Sequence, residues 1–530
     1  MEKITTDISS FENLRKDGYV YVDKTDLLWR LVSCKEGRQF FISRPRRFGK
    51  SLMLSTLKCI FEGRRELFKG LKIAQKRWDW QKTWPVVMLD MSKVKAPDLG
   101  KLEEMLKGQV RCLAREFGIR LGKDDFVTSA GAFGAFLGGM AARHGEFVVL
   151  VDEYDVPLQG FLARRAELRA VRSLMHDFYV QLKAHSGDFR FLMLTGVTKL
   201  TKLSVFSGLN HLTDLTMKKP EYAALLGYRR QEILDNFPRR LAKMAKVNGT
   251  DSAGAMKLLT AWYDSYRFTP YSPAKVFNPI SVGMALGDGI LESYWVGTGM
   301  ATLVMERMEA AQKSPADFEG CTATVSELDL CDALELPAKS LMYQSGYLTI
   351  KGLSKTEVDE IGNPKLILGA PNHEVRGALK AGWFDHFVKI PSTEFDALVN
   401  VAKRQVEAGD VDGLITETLY RVYAKIPPEW RIRSEADVKR HFRLFMEMLG
   451  AKVAAEEGSA RGYADAIVET KRFVWIFEFK FNKSAKAAVR QIREKGYADA
   501  YRDERRPVTL VGVNFRAAKR NIDEPLFEAL

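Results

Sequence analysis

Nowhere does this 530-residue chain approach the roughly 20 consecutive apolar residues that span a bilayer. Its opening, Met-Glu-Lys-Ile-Thr-Thr-Asp, lacks the apolar core of a secretory leader, so a cytoplasmic address with no membrane partner is expected. Cysteine is scarce: Cys34, Cys59, Cys112, Cys321 and Cys331 are odd in number and form no Cys-x-x-Cys pair. Neither a disulfide framework nor a zinc knuckle is supported, and reduced core thiols are expected. His144, His176, His185 and His211 share no metal-ligand spacing. Acidic residues are in deficit, 67 against 81 Lys and Arg, for a net charge of +14. Such a balance favours a polyanionic partner. The excess is concentrated late: from Lys471 to Arg520, 14 Lys/Arg stand against 5 Asp/Glu. There the alternatives are nucleic-acid contact and a solvated basic face. With 46% hydrophobic and 28% charged residues the composition is that of a soluble globular protein, and the length calls for two to four domains.

Against that background, Phe40-Phe41-Ile42-Ser43-Arg44-Pro45-Arg46-Arg47-Phe48-Gly49-Lys50-Ser51 reads as a short apolar strand, a basic turn, and Gly-Lys-Ser opening a helix. This is the order of a phosphate-binding loop, in which loop amides and the helix N-terminus face the phosphates of a nucleotide such as ATP. Lys50 would add a point charge and Ser51 a magnesium ligand. Arg44 stands where the usual pattern has its first glycine, so by pattern alone the match is partial and a basic surface turn is the alternative. Downstream, Leu54, Leu57 and Phe61 keep helical spacing up to Gly63. Pro85-Val86-Val87-Met88-Leu89-Asp90 is a continuous apolar run suited to a strand buried on both faces.

A second such run, Phe147-Val148-Val149-Leu150-Val151, ends in Asp152-Glu153. In a P-loop ATPase the first acid helps hold the magnesium that Ser51 ligates, and the second polarises the attacking water. A third run, Phe189 to Leu194, ends in Thr195, placed either to sense the terminal phosphate or simply to cap its strand.

With these residues in view, the chain resembles the AAA-ATPase-like family of bacterial and archaeal proteins. The likeness rests on Tyr21-Val22-Asp23-Lys24-Thr25, on the Arg44–Ser51 loop, on Val151-Asp152-Glu153-Tyr154-Asp155-Val156-Pro157 and on Ser204–Asn210. In that family Arg-Pro-Arg-Arg-Phe-Gly-Lys-Ser is itself the loop signature. The resemblance therefore places Arg46, Arg47, Phe48, Gly49, Lys50 and Ser51 at the nucleotide, with Asp152 and Thr195 beside them. From Glu221 to about Ala370 a mostly helical pattern predicts a helical or winged-helix lid, with Arg267 a candidate for an arginine reaching the phosphates. Its aromatic residues are read as core. A helical connector follows to Glu429.

The last segment reads as helix, three strands, helix, strand. Ser434-Glu435-Ala436-Asp437 resembles a capping box ahead of the stripe Val438, Phe442, Phe445 and Leu449. Along Phe473–Phe481 the odd-numbered aromatics face one way, and Val474, Ile476, Glu478 and Lys480 the other. Glu478 and Lys480 on a buried face demand a metal or counter-charge. Asp465 lies on the preceding hairpin strand. Two carboxylates and a lysine so placed suit magnesium-dependent phosphodiester cleavage, with Mn²⁺ an alternative ion; an exposed Glu–Lys cross-strand pair is the competing reading. This segment resembles the PD-(D/E)XK nuclease-like domain that follows the ATPase in the same family. The resemblance carries over Asp465, Glu478, Lys480 and Gln491, and less strongly Glu456, Glu435 or Glu447. Tyr463 replaces an arginine common in the family.

The chain is thus expected to be α/β: a P-loop NTPase with a parallel sheet and helices on both faces (1–220), a lid (221–370), a connector (371–430) and an αβββαβ restriction-endonuclease-like domain (431–530). The expected activity is nucleotide-dependent cleavage of DNA or RNA, in a setting of defence against foreign nucleic acid, by a chain able to form homo-oligomers. The alternative is a non-cleaving nucleotide switch whose C-terminal fold only binds nucleic acid or a protein.

Overall fold

Strands built around continuous apolar runs are stable only where both faces are covered, and the first four strands of the first sheet each contain such a run. In the computed structural model, β1 (Gln39–Ser43), β2 (Val86–Asp90), β3 (Phe147–Asp152), β4 (Phe189–Gly196) and β5 (Thr213–Asp214) lie in the order β2-β3-β4-β1-β5. All neighbours pair in parallel. The structure describes the chain apart from residues 1, 35–36, 163, 200–211, 295–299, 312, 330–336, 388–391, 426–431, 450–451, 455–457, 460–461 and 503. Every residue of β3 is buried. Helix α1 (Lys50–Phe61) packs Phe61 against Phe191 of β4, and Phe133 stacks on Phe178 between the helices Ser129–His144 and Arg165–Ala184.

The register aligns the strand ends. Asp90 lies opposite Asp152, Ile42 opposite Thr195 and Ser43 opposite Gly196. Since β4 runs between β1 and β3, Thr195 stands between the loop after β1 and the acids after β3. Loops at the carboxyl edge of a parallel sheet are where such folds bind ligands.

The chain packs as two compact units, Met1–Arg307 with Phe318–Arg376, and Met308–Asp317 with Gly377–Leu530. The first unit continues with a helical cluster whose core includes Ile233, Phe237, Leu259, Tyr263, Phe277 and Val282, the last on α2 (Pro279–Asp288). Beside it is a sheet of β6 (Thr322–Ala323), β7 (Thr349–Val358) and β8 (Pro364–Gly369), all antiparallel. This sheet is the wing side of the winged-helix expectation. Its strands were hard to read from sequence, because β7 is exposed beyond Ile350 and held by its ladder rather than by an apolar face.

In the second unit, α3 (Glu435–Met448) starts as its sequence predicts: Ser434 Oγ donates to Asp437 Oδ2 at 3.0 Å, and the Asp437 N–H donates to Ser434 Oγ at 3.3 Å. The sheet comprises β9 (Lys452–Ala454), then, after the small hairpin β10 (Gly458–Ser459) and β11 (Gly462–Tyr463), the strands β12 (Ala466–Glu469), β13 (Val474–Phe481), β14 (Val508–Arg516) and β15 (Asn521–Ala529). Its order is β15-β14-β13-β12-β9, with only the β13–β14 pair parallel. Strand β13 is covered twice. Phe442 of α3 packs on Phe477 and Phe479 at 4.5 and 5.0 Å, while Val474 and Ile476 join Val489 and Ile492 of α4 (Ala485–Glu494) in a second core. Gly512 allows this approach, since a Cβ there would meet the Ala485 carbonyl oxygen at 2.4 Å.

Two expectations need correction. The second helix of the αβββαβ order, which the sequence reading carries from Ser484 to Tyr501, ends at Glu494, ahead of Gly496 with φ +65°. Strand β15 was not foreseen, because Pro525 argues against a strand; at the sheet edge, with an irregular register beside it, proline is tolerated. Among the described residues no helix is long and apolar enough to cross a membrane. Replacing Phe442 by Ala should remove about 3–5 kcal/mol of stability from the second unit, as truncation of a buried aromatic does; denaturant unfolding followed by tryptophan fluorescence checks it.

Candidate nucleotide and metal sites

The turn between β1 and α1 is set by backbone conformation. Gly49 caps α1 with φ +90°, and Arg47 also adopts a positive φ, +68°. A Cβ at Gly49 would meet nothing within 4 Å, so the angle rather than crowding asks for glycine. Lys50 is 5% exposed, and its ammonium donates to the carbonyl oxygens of Arg44 and Pro45 at 2.9 and 3.0 Å. Burial pulls its pKa below the ordinary lysine range, opposed by the carboxylates of Glu153, Asp152 and Asp155.

Arg44 explains how the loop does without its first glycine. Its side chain turns into the protein, donating to the carbonyl oxygens of Ser43 and Thr216 at 2.8 and 2.9 Å and lying 4.3 Å over the Phe268 ring. Burial lowers its pKa to about 10, and Nε and Nη2 find no partner. Phe48 meets Tyr266 and Phe268 edge-on, which confirms those aromatics as core. Arg46 donates to Gln159 Oε1 at 2.9 Å, and Arg47 donates to the Tyr294 carbonyl. Arg267, the candidate for a phosphate-reaching arginine, instead donates to the carbonyls of Thr269, Pro270 and Ser272 in its own turn.

The acids stand across from this loop. Thr195 Oγ1 donates to Asp152 Oδ1 at 2.6 Å, and the Glu153 N–H donates to the same oxygen at 3.0 Å. Glu153 has φ +50°, a strained angle for a non-glycine residue and one that recurs at functional sites. Burial holds its carboxyl above the ordinary range. Sequence reasoning missed Asp155, whose buried carboxylate accepts from the backbone of Val197 and Thr198 and from Thr198 Oγ1, tying the acid turn to the end of β4. A cavity of about 500 Å³ opens beside the loop. Gly49, Lys50, Ser51 and Glu153 line it together with Val22, Tyr228, Ile280 and Met284. The loop and Glu153 therefore face one space, while Asp152, held by Thr195, adjoins Glu153 without lining it.

In the second unit the ladder brings Asp465 to Glu478. Ala466 pairs with Phe477, so one step further puts Asp465 opposite Glu478, and cross-strand neighbours share a side. Asp465 Oδ2 accepts the Phe479 N–H at 2.8 Å, and Lys439 of α3 forms an ion pair with Oδ1. Lys480 Nζ donates to Glu478 Oε1 at 2.7 Å and to Glu435 Oε2 at 3.4 Å. Glu478 is 1% exposed and its Oε2 is buried without a partner. Burial, with Asp465 adding, holds the Glu478 carboxyl above its ordinary value. Burial also works against the charge on Lys480, but Glu478 and Glu435 keep it above the ordinary lysine value.

Gln491 sits half-exposed on α4, with no hydrogen bond to Asp465, Glu478 or Lys480. Glu456 and the side chain of Glu447 lie outside the described residues. Glu435 is the acid that α3 supplies. Lys439 was missed, although its place one turn after Glu435 was the available signal.

Among the described residues no group of three or more His, Cys, Asp or Glu is arranged to hold a metal. Magnesium, however, is commonly bound by one or two carboxylates, the rest of its shell being water and substrate phosphate. Asp465 and Glu478, with the orphaned Glu478 Oε2, fit that requirement.

The fold and these two centres define a P-loop NTPase module joined to a restriction-endonuclease-like domain. Residues 5–206 match the family model described as "Predicted AAA-ATPase", and residues 433–525 that of the PD-(D/E)XK nuclease superfamily. The chain is 31% identical over 540 residues to the "Uncharacterized protein in vnfD 5'region" of Azotobacter chroococcum, covering 100% of this chain and 99% of the relative. It belongs to that family, whose architecture is an AAA-ATPase-like module followed by a PD-(D/E)XK domain. Solved structures it is distantly similar to include the Aeropyrum pernix ORC1 protein in complex with DNA, at 10% identity and TM-score 0.25 over 71% of this chain and 93% of that one. The Aeropyrum pernix ORC2 protein in ADPNP–ADP complexes matches at 12% and 0.28, over 68% and 92%.

Because Glu153 has a raised pKa in the fold, ionising it opposes folding. That penalty is full above the folded pKa and vanishes below the unfolded value of about 4.3. Glu153→Gln should therefore melt no lower than wild type at pH 7.5, with any gain limited to about 2–4 °C. The difference should close as pH falls toward 4, as differential scanning fluorimetry across pH would show.

Proposed function

We propose that the chain binds and hydrolyses ATP at the Lys50 loop and uses the nucleotide state to control a metal-dependent nuclease acting on DNA or RNA. The observation that carries the nucleotide half is that Lys50 and Glu153 line one cavity, with Asp152 adjoining Glu153 and held by Thr195. In this reading the amides of residues 46–51 cradle the phosphates, and the Lys50 ammonium exchanges the loop carbonyls for phosphate oxygens. Ser51 and Asp152 hold Mg²⁺, Glu153 orients the attacking water, and Thr195 fixes Asp152.

The nuclease half rests on a buried carboxylate whose second oxygen has no partner beside a second carboxylate and a lysine. When bound there, Mg²⁺ or Mn²⁺ supplies polarisation of a phosphoryl oxygen and an activated water. Asp465 and Glu478 hold the ion. Lys480, kept charged by its acids, orients the water and steadies the charge that builds on the phosphorane. Gln491 completes the water's surroundings from α4. The basic excess between Lys471 and Arg520 supplies phosphate contacts along the substrate, and foreign nucleic acid is the target that the domain pairing suggests.

A second reading draws on the ion pairs at the site. Each acid is already matched by a lysine, as suits a switch that binds nucleic acid without cutting it. Incubation with plasmid and with RNA, with Mg²⁺ or Mn²⁺ and with or without ATP, separates the two. Cleavage that falls at least about 100-fold in Asp465→Ala and in Lys480→Ala is expected; retention and shift of substrate without product would favour the switch. In the nucleotide half, Lys50→Ala should lose ATP binding, whereas Glu153→Gln should bind ATP and fail to turn it over. A Lys50→Ala protein that binds ATP like wild type would contradict the loop assignment.

A further inference from the structure

The acids gathered at β13, Glu435, Asp465 and Glu478, are held by three lysines, and the three are not equivalent. Lys480 is fixed: its side chain is 8% exposed, and its ammonium is shared among Glu478, Glu435 and the Phe479 carbonyl. Lys483 is 60% exposed and reaches only Glu435, at 3.6 Å. Lys439 differs from both. Its side chain is 40% exposed, yet its ammonium is set on Asp465, whose carboxylate is only 7% exposed. Glu435 and Lys439 lie one turn apart, so α3 presents both from one face to the strand tips.

Asp465 Oδ2 is committed to the Phe479 N–H, which leaves Oδ1 as the oxygen open to a cation, and Lys439 sits on it. Beside it the Glu478 Oε2 is buried without a partner. An ammonium and a divalent ion drawn to the same carboxylate oxygen repel one another, so each weakens the hold of the other. Of the two, the flexible, half-exposed lysine is the one able to yield.

We propose that Lys439 is an exchanging counter-cation of the nuclease site. Without metal it neutralises Asp465; when a divalent ion takes Oδ1, its ammonium turns outward to a phosphate oxygen of the nucleic acid. Rooted on α3, Lys439 is then a positioning residue for the scissile phosphate. It makes metal and nucleic acid bind together more tightly than either binds alone. This inference rests on the metal-dependent reading of Asp465 and Glu478.

The test is Mn²⁺ binding to the full chain without nucleotide, followed by electron paramagnetic resonance, with and without an oligonucleotide carrying non-hydrolysable linkages. In wild type the oligonucleotide should tighten Mn²⁺ binding. Lys439→Met and Lys439→Gln should bind Mn²⁺ at least about fivefold more tightly without oligonucleotide, a shift of about 1 kcal/mol, and should lose most of the tightening. Lys439→Arg, which keeps the charge, should stay near wild type. Unchanged or weaker Mn²⁺ binding in both neutral variants overturns the role given to Lys439 while leaving the metal site standing. A Mn²⁺ titration that Asp465→Ala and Glu478→Ala do not alter, in wild type or in the Lys439 variants, overturns the metal reading and this inference with it.

Discussion

A lysine ammonium out of water must be held by something, and at the end of β1 it is held by the protein's own backbone. Lys50 places its charge on the carbonyl oxygens of Arg44 and Pro45, which closes the turn around it. Much of the first unit can be understood from that one contact. The turn can close because Arg44 turns inward under Phe268, and because Gly49 accepts a left-handed angle. Glu153, Asp152 and Asp155, at and just after the end of β3, balance the charge. Thr195, delivered by the strand between, fixes Asp152.

The second unit meets the same difficulty with different parts. Here buried carboxylates need charge, and lysines from two elements supply it: Lys480 from the strand itself and Lys439 from the helix laid against its aromatic face. In the first unit the charged groups collect where strands end; in the second, Asp465 precedes β12 while Glu478 and Lys480 lie within β13, beyond its ladder with β12. The buried Glu374 shows how far such wiring extends in the first unit. It accepts from Ser281 Oγ and from the Tyr294 N–H, and the Tyr294 carbonyl in turn receives Arg47 of the loop.

The sequence was most legible where local pattern and tertiary burial ask for the same thing. Strands β2 and β3 are continuous apolar runs, and α1 ends at Phe61 ahead of Gly63 as its spacing predicts. The alternation in β13 was likewise readable, since one face is aromatic and the other carries Val474 and Ile476. Elements stabilised by pairing rather than by an apolar face were not. Strand β7 is largely exposed, and β15 carries a proline that only an edge position permits. At the sites, residues marked by an unusual local pattern were found: Gly49-Lys50-Ser51, Asp152-Glu153 and Glu478-x-Lys480. Arg44, Asp155 and Lys439 were not assigned roles, because each acts through a partner distant in sequence: Phe268, Thr198 and Asp465. Arg267 shows the converse, a conspicuous arginine that serves its own turn.

The central claim is that two separate centres, one built on Lys50 and one on Lys480, each gather a divalent ion against phosphate oxygens. Crystals of the full chain grown with Mn²⁺ and a non-hydrolysable ATP analogue test it most directly, through anomalous scattering. The account predicts two manganese peaks, one touching Ser51 Oγ and the nucleotide phosphates, the other between the Asp465 and Glu478 carboxylates with Lys439 displaced. A nucleotide-bound chain with no manganese at Asp465 and Glu478, and Lys439 still on its acid, would contradict it.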